Sequence, residues 1–156
     1  MGLASKPMNK ASPMRHLFVF KLCDDEFAVE LSHVREVHPY SEPFPIPCPP
    51  PCIVGVMNLR GRAVPVVDLK ALLGVKCGCK PYRIVVAEVE GHEFIFAIDS
   101  QGEDMLVPQD AIQQPPPSLP ERHRQLIIGI ISLGGRTITL LNLHPSRLWG
   151  EQGTAS

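Results

Sequence analysis

Ile53-Val-Gly-Val-Met-Asn-Leu-Arg-Gly-Arg-Ala-Val-Pro-Val-Val-Asp-Leu69 aligns without a gap on Ile127-Ile-Gly-Ile-Ile-Ser-Leu-Gly-Gly-Arg-Thr-Ile-Thr-Leu-Leu-Asn-Leu143, at an offset of 74 residues. Ile, Gly, Leu, Gly, Arg and Leu are identical at six positions, and most of the others exchange one apolar residue for another. Each copy reads as two apolar runs around a Gly-bearing turn, the pattern of a β-hairpin. The hairpins ahead of them also match. Glu26-Phe27 falls on Glu93-Phe94 at an offset of 67, which sets Leu31 against Ile98 and Ser32 against Asp99. The difference between the offsets gives the second copy seven more residues between its hairpins. A duplication of hairpin, connector and hairpin implies two small all-β units. Each is too small to bury its strands alone, so the two must share an apolar seam. Many short strands with frequent turns favour small barrels over an open sheet.

Outward from the repeat, Leu17–Leu22 and Phe27–Leu31 read as strands around a Cys23-Asp-Asp25 turn. Ser32 is placed to cap a short helical turn that carries Val34, Glu36 and Val37. Pro43–Pro51 holds too many prolines for a helix or a central strand and predicts an extended, stiff crossing between sheets. Such a segment is also the kind that SH3 domains bind. Asp68 caps a predicted helix over Leu69–Leu73, stopped by Gly74. Tyr82–Glu90 and Glu93–Ile98 predict a further hairpin, Gln113–Arg124 a polar, Pro-rich loop, and Leu126–Leu133 with Arg136–Leu141 the last hairpin. The expected organisation is a loose tail at 1–14, one domain at 15–148 and a second tail at 149–156. Within the domain, one barrel falls mainly at 15–74 and the other mainly at 82–148.

Composition narrows the functional classes. The chain has 156 residues, 44% of them hydrophobic, with 15 Lys and Arg against 16 Asp and Glu and a net charge of −1. That balance supplies a core and lacks the basic excess of a nucleic-acid binder. No apolar run reaches the length of a membrane helix, so direct membrane insertion is not expected. Five cysteines, an odd number, and a start without an apolar leader segment predict a cytoplasmic protein with reduced thiols.

Gly55-Val-Met-Asn-Leu-Arg-Gly-Arg-Ala-Val-Pro-Val-Val-Asp-Leu69 resembles the signature of the CheW-like domain, the adaptor of bacterial chemotaxis arrays. Phe27-Ala-Val-Glu-Leu31, Val34-Arg-Glu-Val37, the Pro-bearing connector and Ile98-Asp99 fit the same family. The resemblance covers roughly residues 15–148. It implies a mainly β fold of two five-stranded SH3-like barrels packed around a shared hydrophobic core, with short helical turns. It implies a non-enzymatic coupling protein without a cofactor, whose partners are the regulatory domain of a CheA-type histidine kinase and the cytoplasmic tip of a chemoreceptor. Carried over by position, the receptor-binding residues are Val34, Glu36, Val37 and Arg60. The residues themselves are compatible: a pair of valines offers an apolar face to a helix, and a guanidinium at a hairpin tip is free to pair with Glu36 or with a partner's carboxylate. Arg60 also reads as a solvated turn residue and the valines as plain core, but the second copy folds the same turn with Gly134, which suggests that Arg60 serves something beyond folding. The family's second pair of valines is replaced here by Gln101 and Asp104, a candidate second wall of the groove, and Ile95 stands where many members have Gly. These departures leave room for an array component that occupies the adaptor's place without engaging receptors.

Other signals carry less. Cys48 and Cys52 with Cys77 and Cys79 form a four-thiolate set whose spacings are poor for zinc, so no metal is expected. The six histidines are scattered. No nucleophile elbow, cysteine-protease motif or phosphate loop occurs, and no catalytic residue is assigned. The rival from another class is a small-molecule-binding or redox-sensing β module built on the Cys/Pro-rich loop.

Overall fold

The computed structural model describes residues 13–47, 49 and 52–148. Residues 1–12 of the tail expected at 1–14, the tail expected at 149–156, and Cys48, Pro50 and Pro51 of the connector lie outside the described residues, while Met14 already belongs to the first strand. In chain order the elements are β1 (Met14–Leu22), β2 (Asp25–Glu30), a 3-10 turn (Leu31–His33), β3 (Val34–Pro39), β4 (Ile53–Leu59), β5 (Arg62–Val67) and α1 (Leu69–Leu73). They continue with β6 (Arg83–Val89), β7 (His92–Ile98), β8 (Glu103–Pro108), a second 3-10 turn (Gln109–Ala111) and β9 (Ile112–Gln113). Last come α2 (Glu121–Leu126), β10 (Ile127–Leu133), β11 (Arg136–Leu141) and α3 (Pro145–Leu148). Helix α1 forms where expected: the Asp68 carboxylate accepts the Ala71 N–H at 3.1 Å, and Gly74 ends the helix at φ 70°.

The strands make two curled sheets, of six strands in the order β9-β10-β11-β2-β1-β8 and of five in the order β3-β6-β7-β5-β4. Each closes through a crossing segment. In the first, β8 leads through its 3-10 turn directly into β9, which pairs with β10. In the second, the chain leaving β3 returns at Phe44, which exchanges two backbone hydrogen bonds with Val56 of β4 at 2.8 and 2.9 Å. Both closures require glycine. A Cβ on Gly55 would stand 2.3 Å from the Phe44 carbonyl oxygen, and one on Gly129 2.7 Å from that of Gln113. Beside each glycine the ladder slips by a residue, between Ile53 and Gly55 and between Ile127 and Gly129. The bulge curls the strand at the point where the crossing chain must meet it.

The expected division into successive barrels at 15–74 and 82–148 is corrected by the strand pairing. The hairpin β1–β2 of the first repeat pairs in parallel with β11 of the second, and β6–β7 of the second pairs in parallel with β5 of the first. The repeats therefore exchange their first hairpins. The reason is hydrophobic: these hairpins are apolar on both faces, so each must be covered twice. Leu17, Val19 and Ala28 fill the first barrel with Val107, Ile131, Ile138 and Leu140. Ile84, Val86 and Ile95 fill the second with Met57, Val64 and Val66. Their other faces, Phe18, Phe20, Phe27 and Val29 against Val85, Ala87, Phe94, Phe96 and Ile98, meet in the seam between the barrels.

Three local expectations also change. Val34, Glu36 and Val37 lie on strand β3 and not on a helical turn, because only Leu31–His33 turns before the β-branched residues extend the chain. Residues 121–124, expected as loop, and Leu126, expected to begin the last hairpin, lie in α2, which starts after Pro120 and buries Leu126. The reduced thiols are corrected as well: Cys23 in the β1–β2 turn is disulfide-bonded to Cys77 in the loop before β6, since the fold brings these distant segments together. Of the other described cysteines, Cys52 is buried and Cys79 exposed.

Gly55→Ala and Gly129→Ala should each lower stability by about 1–3 kcal/mol, the range for forcing an extra carbon into a packed site. Gly78→Ala, with nothing within 4 Å of the added carbon, should stay within about 0.5 kcal/mol of the parent. Urea unfolding of the three variants checks the contrast.

Candidate functional site

The residues expected to bind a partner gather where the five-stranded barrel closes. Arg60 stands at the tip of the β4–β5 hairpin and Glu36 on β3, at opposite edges of the same sheet. Because the sheet curls shut, Arg60 Nη1 lies 2.7 Å from Glu36 Oε2, with the Arg60 side chain 65% exposed and that of Glu36 24%. His38 Nε2 approaches the other carboxylate oxygen at 2.6 Å. Hydrogen bonding from Arg60 first, then from His38, holds the Glu36 carboxyl down to about 2 against a smaller opposing effect of burial.

The tip that carries Arg60 is strained. Arg60 has φ 50° and Gly61 φ 84°, both in the left-handed region that glycine adopts without cost. Asn58 steadies the turn by accepting the Gly61 N–H at 3.0 Å. The same turn in the second copy has glycine at both positions, Gly134 at φ 58° and Gly135 at φ 80°. An arginine is thus held in a conformation that glycine would take more easily, as are Cys23 at φ 59° in the β1–β2 turn and Glu90 at φ 53° in the β6–β7 turn.

Val34 and Val37 share a face despite their spacing, because the β3–β6 ladder slips between Val34 and Glu36. Val34 then sits opposite Ala87 and Val37 opposite Val85, and both valines pack half-buried against the seam. They support β3 from below, with Glu36 presented on the opposite face. Gln101 and Asp104 belong to the other barrel, in the β7–β8 loop and on β8, and both are exposed. Among the described residues they make no hydrogen bond or ion pair with Glu36 or Arg60. Sequence reasoning missed His38, although it follows Glu36 by two residues, the period that puts strand residues on one face. It also missed the groove beside the cluster, lined by His38, Pro39, Phe44, Asn58 and Leu59, in which Phe44 is 69% exposed.

The repeat explains the remaining charges. Arg62 and Arg136, the identical arginine of the two copies, each reach the matching glutamate of the exchanged hairpin: Arg62 to Glu93 at 3.0 Å and Arg136 to Glu26 at 3.0 Å. Those pairs belong to the architecture. Glu103, which matches Glu36 at an offset of 67, is taken by Arg136 at 2.8 Å, so the Glu36–Arg60 pair has no counterpart.

The CheW-like domain family matches residues 16–146. This chain belongs to that family. It is 32% identical over 146 residues to a probable chemotaxis protein CheW of Rhizobium etli, covering 92% of this chain and 93% of the relative. It is 33% identical over 131 residues to the chemotaxis protein CheW of Rhizobium meliloti, covering 83% and 84%. The crystal structure of the scaffolding protein TtCheW from Thermoanaerobacter tengcongensis superposes with a TM-score of 0.76 at 28% identity, over 85% of this chain and 86% of that one. The CheW-like fold of two barrels on a shared core is thus the fold of this chain, and the Glu36–Arg60–His38 cluster is a feature of its five-stranded barrel.

Glu36 has its folded-state pKa depressed, so its contribution to stability is present above the ordinary glutamate range and fades as pH falls toward 2. An NMR pH titration should place the Glu36 midpoint well below that of an ordinary glutamate. In Arg60→Ala the midpoint should rise toward the ordinary value; no movement would show that the pair does not form in solution.

Proposed function

We propose that the chain is a chemotaxis-type signalling adaptor that couples chemoreceptors to a CheA-type histidine kinase by protein–protein binding. Membership of the CheW-like family across residues 16–146 carries this reading. The family assignment leaves the rival reading, a small-molecule-binding or redox-sensing module, without support. No helix of the described residues is long and apolar enough to cross a membrane, and we place the protein in the cytoplasm with the kinase, beneath the receptor array.

In this proposal the receptor's cytoplasmic tip, a bundle of amphipathic helices, docks beside strand β3. Arg60 and Glu36 provide a charge pair that re-partners with the helix, the groove with the exposed Phe44 ring accepts its apolar side chains, and Val34 and Val37 fix the height of β3 from the seam. Gln101 and Asp104 contribute a polar second wall from the other barrel. The kinase regulatory domain binds through a separate surface. The adaptor performs no catalysis and needs no cofactor. It holds two partners in a fixed relation, so that a small receptor movement shifts the kinase between conformations.

The strained turn supplies a selective test. Arg60→Gly copies the second repeat and should leave the melting temperature unchanged or slightly higher, because an exposed ion pair contributes only about 0–1 kcal/mol and a left-handed arginine is relieved. Binding to a receptor-tip fragment should weaken at least tenfold, roughly the loss of 1.4 kcal/mol, and Arg60→Glu should weaken it further. Binding of the kinase regulatory domain should not change. Equal receptor binding by parent and both variants rejects the proposed role of Arg60.

A further inference from the structure

Away from β3, three sulfurs and a carboxylate converge where the two barrels meet. The Sγ atoms of Cys23, Cys77 and Cys79 and a carboxylate oxygen of Asp99 all lie within 4.8 Å of one another. Cys23 comes from the β1–β2 turn, Cys77 and Cys79 from the loop before β6, and Asp99 directly follows β7. The set differs from the cysteines that sequence spacing singled out, since Cys52 is buried elsewhere in the seam. We propose that Cys23, Cys77, Cys79 and Asp99 form a binding site for a thiophilic divalent cation, zinc, that fills when the Cys23–Cys77 bond is reduced.

Asp99 is the second, independent observation. Its side chain is only 3% exposed. Oδ2 is occupied, accepting the Cys23 N–H at 2.7 Å and pairing with Lys70 Nζ at 2.7 Å. Oδ1 is buried and has no hydrogen-bond partner among the described residues. A carboxylate oxygen without a donor is costly to bury, so the Asp99 carboxylate is left one partner short beside the three sulfurs. Ligating carboxylates in metal sites are themselves held by neighbouring donors, as the Cys23 N–H and Lys70 hold Asp99 here. Lys70 also offsets the negative charge of three thiolates and a carboxylate around one dication.

The donors select the metal. Thiolates favour zinc over calcium or magnesium, which take oxygen ligands. Tetrahedral zinc with bonds of about 2.3 Å to sulfur puts ligand atoms about 3.8 Å apart, within the span of this cluster. The Cα atoms of Cys23 and Cys77 are 5.9 Å apart, so both thiolates can reach one ion once the bond between them is open. Reduction by a dithiol gives Cys23 and Cys77 two electrons and two protons and leaves the reductant as its disulfide. Zinc then displaces the three thiol protons. The exposed Cys77 and Cys79 leave the ion a route from solvent.

Cobalt(II) is the probe, on the full chain reduced with a water-soluble phosphine, which takes oxygen from water as the disulfide opens. The expected result is one cobalt per chain, with the intense visible bands of tetrahedral coordination, a near-ultraviolet thiolate charge-transfer band, and displacement by zinc. Cys79→Ser and Asp99→Asn both keep the Cys23–Cys77 pair and should each weaken cobalt at least tenfold, while Cys52→Ala should not. The oxidised parent should bind no cobalt with thiolate bands. Pale octahedral spectra, parent-like affinity in both ligand variants, or equal binding by the oxidised protein would overturn the site. The titration uses no receptor or kinase, so its failure leaves the adaptor reading untouched.

Discussion

The seam of aromatic and branched side chains between the barrels is the constraint on which the structure depends. Phe20 and Phe96 meet there with ring centroids 5.5 Å apart, flanked by Phe18, Phe27 and Phe94. These rings stand on the two hairpins that are apolar on both faces, so neither hairpin is satisfied inside a single barrel. Burying a side chain of this size contributes about 1.5–3 kcal/mol, and several such residues meet at one surface. Strand exchange between the repeats follows from that need, because it gives each hairpin a barrel on one face and the opposite hairpin on the other.

The features proposed to face a partner sit where this constraint is relaxed. Strand β3 is an edge of its sheet, held by one neighbour along its length and by the crossing chain at its end. Its valines reach down to the seam and its Glu36 points away. The architecture therefore fixes the backbone of β3 firmly and sets Glu36 on the face away from the seam, where Arg60 and His38 hold it, as the proposed docking surface requires. Arg60 shows the opposite balance. Its turn would fold more easily with glycine, as the second copy does, and the arginine is retained at the expense of local comfort.

Much of this was legible in the sequence, for identifiable reasons. The repeat revealed two like units, and alternation of apolar residues gave most strands. The Asp68 and Gly74 signals gave α1 because capping is a local property. Strand exchange was hidden, since the order of elements is the same whether a hairpin stays with its own repeat or crosses to the other. Strand β8 escaped notice because Glu103–Pro108 buries only Val107 fully and carries little apolar pattern. The pairing of Glu36 with Arg60 was one of two readings of the sequence, and curvature of the sheet decides it. The cluster at Asp99 was invisible for a similar reason: its residues are scattered in sequence, and only the meeting of a turn, a loop and a strand end joins them.

The crossed parallel pairings carry an evolutionary corollary. Cutting such a chain midway would yield fragments that each hold one barrel's hairpin and the other barrel's closing strands, so neither would own a complete core. A polypeptide of just one repeat, however, could finish both barrels by trading hairpins with an identical copy. Tandem fusion of the genes for such a symmetric pair would then free each half to diverge, one keeping the plain glycine turn and the other acquiring an arginine.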